Sequence, residues 1–239
     1  MTDTAFSEPT EPQDILRPNA QRAKNAITLL WIVLILDVIS FFSDYLQYAL
    51  LSAPELSEEA AEANDTRQQI IGIVYLICYI VSVVTFIKWF RRAYYNLSLK
   101  DDYLSYSNKD VAISWFLPII CLYKPYQIMK ELYRKTGHLL EDHGLMPKEK
   151  LSLALVNIWW ILWVISSILG HISFRLSMKS DTINDMLTNT ALTMIISLVG
   201  IPLALLAIQV IRRYAQAEAL LNQIPYESKQ SDHDVLPEG

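Results

Sequence analysis

The chain has 239 residues, 52% hydrophobic and 19% charged, with a formal net charge of -5 and a mean hydropathy of +0.23. That composition is high in apolar residues for a water-soluble domain of this length and supports a membrane class. The acidic surplus is local, gathered before residue 15, between Glu55 and Asp65 and near the C-terminus, and the basic residues follow apolar boundaries rather than a folded face, so nucleic acid is not an expected partner.

Residues 1–25 are polar, contain Pro9, Pro12 and Pro18, and lack an apolar stretch with a small-residue cleavage site. They read as a disordered cytoplasmic segment, with insertion directed by the first span. Four apolar runs follow, at about 26–51, 69–90, 153–174 and 186–211, each able to supply the roughly 20 residues that cross a bilayer. With the N-terminus inside, seventeen of the 20 Lys and Arg residues fall on cytoplasmic segments: Arg17, Arg22 and Lys24, then eleven from Lys88 to Lys150, then Arg212, Arg213 and Lys229. Arg67, Arg175 and Lys179 fall outside. This bias obeys the positive-inside rule for a protein with both termini in the cytoplasm.

In the first span, Asp37, Ser40, Asp44 and Gln47 are spaced i, i+3, i+7, i+10 and draw one polar stripe on a helix. An ionised Asp at the bilayer centre costs about 2.5–3.5 kcal/mol, so the stripe faces the bundle. By depth, Asp44 is expected to meet His171 or Arg175 of the third span. Such a pair fixes helix order; the functional reading of the stripe is that Asp37 and Asp44 bind a cation or relay protons. Asp37 is the sharper hint, because no basic residue shares its depth.

The second span ends in Phe86-Ile87-Lys88-Trp89-Phe90-Arg91-Arg92-Ala93-Tyr94-Tyr95, which puts rings at headgroup depth and lets cations snorkel. The fourth closes similarly at Ile208–Tyr214, and the first and third share Val-Ile-Ser at 38–40 and 164–166. Either a duplicated two-helix unit or common interfacial chemistry accounts for this.

Between the second and third spans, Val111 to Leu122 is apolar but broken by Pro118. A dozen helical residues cover about 18 Å, short of a hydrocarbon core of about 30 Å. Counting this run as a span would also divide the basic residues evenly between the two sides. It therefore begins an interfacial or re-entrant segment over about 111–136. Pro125 suits the first turn of a helix and Gly137 its end. Ile128, Met129 and Leu132 on that helix are apolar, while Lys130, Arg134 and Lys135 are basic, as on a helix resting on anionic lipid or packed beneath the bundle. With Trp89, Arg91, Arg92 and Lys124 these cations form a candidate collar for lipid or a protein partner.

In the third span, Asn157 and His171 can share a face. Gly200-Ile201-Pro202 predicts a kink in the fourth. Residues 215–239 read as a polar cytoplasmic tail. Cys78 lies in a span and Cys121 on the cytoplasmic side, so no disulfide is expected. His138 and Glu141 are two side chains of a metal site that nothing closes, and GxSxG, HExxH and P-loop motifs are lacking. No catalytic residue, cofactor or metal is expected.

The pairing of Trp89-Phe90-Arg91-Arg92-Ala93-Tyr94-Tyr95-Asn96-Leu97 with the run from Trp115-Phe116-Leu117-Pro118 through Lys124-Pro125-Tyr126-Gln127-Ile128-Met129-Lys130-Glu131-Leu132 resembles a family of bacterial multi-span membrane proteins catalogued as domain of unknown function 4328. The resemblance covers about Ala26 to Tyr214 and implies a bacterial inner-membrane location and a four-span bundle, but no activity. The expected fold is all-α: an integral membrane four-helix bundle, residues 26–214, with a cytoplasmic interfacial or re-entrant amphipathic segment between spans two and three. The expected role is a non-enzymatic membrane component that binds anionic lipid or a membrane protein partner through its collar. The alternative is a small homo-oligomeric channel or transporter using Asp37 and Asp44.

Overall fold

The computed structural model describes residues 16–224 apart from 56, 118, 180 and 181. The chain folds into α1 (Ala20–Leu51), α2 (Glu58–Ser98), α3 (Asn108–Ile113), α4 (Lys124–Asp142), α5 (Leu153–Ser177) and α6 (Ile183–Leu220), with 3-10 turns at Ile120–Leu122 and Leu221–Gln223. Four of these, α1, α2, α5 and α6, are long and apolar enough to cross a membrane. The helices overrun the apolar runs by several turns, because their polar ends are capped or packed. Ser57 accepts from the Ala60 amide to start α2, and reciprocal capping boxes start α3 at Ser107/Asp110 and α6 at Thr182/Asp185.

The long helices pack in the order α2, α1, α6, α5, with α1 between α2 and α6. At the basic end of the bundle, where α1 begins and α6 ends, α4 lies against α2, α5 and α6. Its Ile128, Met129, Leu132, Tyr133, Thr136 and Leu140 are buried. The molecule's best-packed region is there, where buried Trp89, Phe90, Ala93, Tyr94 and Leu97 of α2 meet Val156 and Trp159 of α5 and Val210, Ile211 and Tyr214 of α6. These α2 positions recur at three- and four-residue intervals and define a single face. Elsewhere the four long helices expose apolar side chains to their surroundings, Ile35, Phe42, Ile73, Ile77, Ile158 and Ile195 among them, as helices in hydrocarbon do.

Three boundaries differ from the sequence reading. Residues 16–25 were expected within a disordered segment, yet α1 starts at Ala20, and Leu16, Asn19 and Ala23 are buried. The tail expected from 215 likewise begins as helix, with Ala217, Glu218 and Leu221 buried. Both are retained by the same polar knot, described below; residues 1–15 and 225–239, with Lys229, lie outside the described residues. Finally, Gly137 does not end α4. The stop is at Gly144, at φ +67°, where the Leu145 amide reaches the Leu140 carbonyl (2.8 Å) and the Gly144 amide reaches Glu141 (3.0 Å). This pairing needs a left-handed residue, which Gly144 supplies and Gly137 does not.

The Pro-broken run is divided between α3, six residues long, and the short 3-10 turn before α4. Pro125 sits in the first turn of α4 as expected; Pro118 is outside the described residues. Trp115 turns inward to meet Phe86 (5.5 Å between ring centroids), Phe90 (6.4 Å), Trp160 (6.1 Å) and Trp163 (6.0 Å), all within the range of favourable aromatic contact. Cys78 and Cys121 are free thiols.

Candidate functional site

The polar stripe of α1 faces its two neighbours. Asp37 is 3% exposed, and its Oδ1 accepts from the Tyr75 hydroxyl of α2 at 3.0 Å. Across the helix pair, Gly200 of α6 makes room for it: a Cβ there would lie 2.7 Å from Asp37 Oδ2. Gly200 is thus the seat of the carboxylate, a role distinct from the kink predicted for this segment, and α6 stays helical through Pro202. One turn along α1, half-buried Ser40 precedes Ser43, which is buried and receives the Arg67 side chain (3.1 Å). Asp44 accepts from Gln68 (3.2 Å), and Gln47 donates to Thr190 of α6 (2.9 Å).

The expected Asp44 contact with His171 or Arg175 is not made. Both residues are exposed, because α5 packs on α6 and α4 while α1 is flanked by α2 and α6. Arg67, from the acidic stretch that opens α2, takes the place expected of them and stands within electrostatic reach of Asp44. Nor do Asn157 and His171 share a site: Asn157 accepts from Tyr126 of α4 (2.9 Å). Tyr75, Gln68, Ser43 and Thr190 were not singled out from sequence. Depth matching across all four helices would have been the only signal for them.

Beside Asp37 lies a cavity of about 500 Å³. Tyr75, Tyr79 and Ser82 of α2 form one wall, and Trp163, Ser166, Ser167 and Gly170 of α5 face them. Leu203, Ala204 and Ala207 of α6 form its back. Towards the basic end, Phe86 meets Trp159 (5.9 Å), and Trp115 and Phe116 complete the lining. The cavity therefore separates α2 from α5 where the aromatic layer ends. Asp37 is the one charged side chain on its wall among the described residues.

The collar behaves differently from its sequence reading. Trp89, expected at a lipid or partner contact, is 0% exposed and packs on Tyr214 at 6.1 Å; aromatic bulk at this helix end fills a protein core. Lys124 and Lys135 are engaged with Asp110 (2.8 Å) and Asp101 (3.1 Å). Lys124 and hydrogen bonds from Ser107 hold the Asp110 carboxyl down, at about 2. Lys130 lies 5.9 Å from the Tyr126 ring, and Arg134 is exposed. Arg91 is exposed and Arg92 half-buried, and Arg92 is within electrostatic reach of Arg17, Arg22 and Arg91. Arg17 covers the Tyr95 ring (4.5 Å) and Arg22 donates to the Lys88 carbonyl (3.2 Å). Among the described residues none of these four arginines is in an ion pair.

Beneath them is a polar knot that joins the start of α1 to the end of α6. Glu218 accepts from Asn19 (2.9 and 3.1 Å) and Asn96 (2.7 Å), and Asn96 exchanges two hydrogen bonds with the Arg17 backbone. A second buried carboxylate, Glu131, accepts from Tyr94 (2.7 Å) and the Ser105 amide (2.9 Å). The two sequence motifs thus meet in space, Phe90 on Trp115 and Tyr94 on Glu131.

Four apolar helices of spanning length, closed at one end by an aromatic and polar core, define an all-helical membrane protein. The chain belongs to the family described as Domain of unknown function (DUF4328), whose model matches residues 52–216. The match holds both motifs, Tyr75 and Gly200, and begins after α1, so Asp37 lies outside it. No curated protein and no solved structure matches the chain.

Proposed function

We propose that this is a non-enzymatic component of a bacterial inner membrane, with both termini cytoplasmic, that binds anionic lipid headgroups at its basic end. The observation that carries the reading is the cluster of Arg17, Arg22 and Arg91 around Arg92, each of the three within electrostatic reach of it. Glu218 lies near Arg92, but its carboxylate is occupied by Asn19 and Asn96. A phosphate oxygen would relieve the repulsion and accept the guanidinium donors in the geometry arginine favours. The cluster lies at the end of α2 where interfacial cations belong, and the amphipathic helix α4 would lie at the same interface. The alternative partner for this surface is a membrane protein with an acidic face.

Native mass spectrometry of the full chain in detergent, with phosphatidylglycerol or phosphatidylcholine added, tests this. Retention of phosphatidylglycerol is expected, lost in the R17A/R91A/R92A variant and kept in D37N. Equal retention of the two lipids, or retention by the triple variant, would refute the reading.

The cavity favours a second reading, a small channel or transporter that uses Asp37, with Asp44 farther along the same helix. Under it D37N abolishes flux in proteoliposomes while the arginine variants affect mainly insertion and topology.

A further inference from the structure

We propose that the cavity between α2 and α5 binds a lipophilic organic cation, its charge against the Asp37 carboxylate and its apolar body among the aromatic side chains. The site is separate from the arginine cluster, so either assignment can fail without the other.

The argument starts from charge. Asp37 is 3% exposed near the middle of α1, a helix apolar enough to cross a membrane, and among the described residues no ion pair reaches it. The cavity wall carries no Lys, Arg or His. A carboxylate at that depth needs a counter-charge or a proton. An anion is repelled, and a lipid tail supplies no counter-charge.

A hard inorganic cation requires about six oxygen ligands. The Tyr75 hydroxyl already donates to Asp37, and Ser82, Ser166 and Ser167 are dispersed over two walls. An organic cation with spread charge sheds its water at lower cost and gains from aromatic neighbours, and Tyr79, Trp115 and Trp163 are among the lining side chains here. The volume, about 500 Å³, falls within the roughly 300–1,000 Å³ of small-molecule sites. From Tyr75 to Ile87 the α2 wall runs about 18 Å at 1.5 Å per residue, room for a body of several rings or a chain.

The test uses two ions of nearly the same shape and opposite charge, tetraphenylphosphonium and tetraphenylborate. Their binding to the full chain in dodecyl maltoside micelles is measured by equilibrium dialysis against protein-free micelles. The phosphonium is expected to bind and the borate not to. D37N preserves shape and the Tyr75 partner, and it should lower phosphonium affinity at least tenfold. G170L fills the cavity from the opposite wall, where an added Cβ meets nothing within 4 Å, and should abolish binding without touching Asp37. This second variant keeps the proposal testable if D37N fails to fold. Equal affinity for the two ions, undiminished phosphonium binding by D37N, or undiminished binding by G170L would each overturn the assignment.

Discussion

Replacing Gly200 with alanine probes the seat of Asp37 directly. The new Cβ would lie 2.7 Å from Oδ2, 2.9 Å from Cγ and 3.0 Å from Oδ1, the nearest of them 0.7 Å inside the 3.4 Å at which ordinary contact begins. The carboxylate has to retreat, and in doing so it strains the 3.0 Å hydrogen bond from Tyr75. Overpacking of this kind costs about 1–3 kcal/mol, and a hydrogen bond between membrane helices contributes about 0.6–1.7 kcal/mol. Against these stands the helix-propensity gain of alanine over glycine, about 1 kcal/mol. In the wild-type background G200A should therefore destabilise by about 2 kcal/mol. In D37A the crowded atoms are gone and only the propensity gain remains, so the same substitution should stabilise by up to about 1 kcal/mol. The expected coupling is about 3 kcal/mol, read from a double-mutant cycle of reversible unfolding in mixed micelles, followed by circular dichroism. A coupling below about 0.5 kcal/mol would refute the seating argument, because the cost of G200A would then have nothing to do with Asp37.

Glu218→Ala leaves the buried Asn19 and Asn96 amides without their carboxylate and should destabilise by about 2–4 kcal/mol, whereas Glu218→Gln keeps an acceptor and should lose less than half as much; equal melting losses would argue against the knot. Gly144→Ala forces a Cβ into a φ of +67° and should cost about 1–2 kcal/mol, seen as a lower melting temperature with unchanged helix content. Because Asp110 titrates at about 2 rather than at its ordinary 3.8, its contribution is present above pH 3.8 and is lost as pH falls through about 2. The pair is partly exposed, so D110N should cost no more than about 1 kcal/mol at pH 7, and the difference between the two proteins should shrink steadily from about pH 4 to about pH 2; a difference that does not change over that range would contradict the Lys124 pairing.

The four spans were legible because each is a continuous apolar run that only a helix can carry through hydrocarbon, and the stripe on α1 was legible because period 3.6 places Asp37, Ser40, Asp44 and Gln47 together. Which helix each polar residue would meet was not legible. Depth aligns Asp44 with His171 as well as with Gln68, and only the packing order decides between them. Trp89 and Arg91 show the same difficulty at a helix end: two positions apart in one motif, they point into the core and out of it. A headgroup-depth argument treats them alike, whereas the face pattern of α2 separates them. Ala217 and Glu218 read as tail because the signal that keeps them folded, Asn19 with Asn96, comes from two other helices.

These placements divide the molecule by what a substitution would disturb. At the basic end Tyr94 with Glu131 and Asn96 with Glu218 form two buried hydrogen-bonded pairs, so their loss leaves polar atoms unpaired and is felt as stability. Around the cavity, Ser166, Ser167 and Gly170 border open space. Changing them removes little packing and is felt as altered occupancy. Asp37 joins the two regimes. It is fixed by Tyr75 and by the absence of a side chain at Gly200, and it stands on the wall of the cavity. A carboxylate needed only for helix packing would be served by the Tyr75 bond alone, and a cavity needed only for lipid would gain nothing from a carboxylate on its wall. Their juxtaposition is therefore the place where substitutions should separate binding from folding, with D37N and G170L as the sharpest pair.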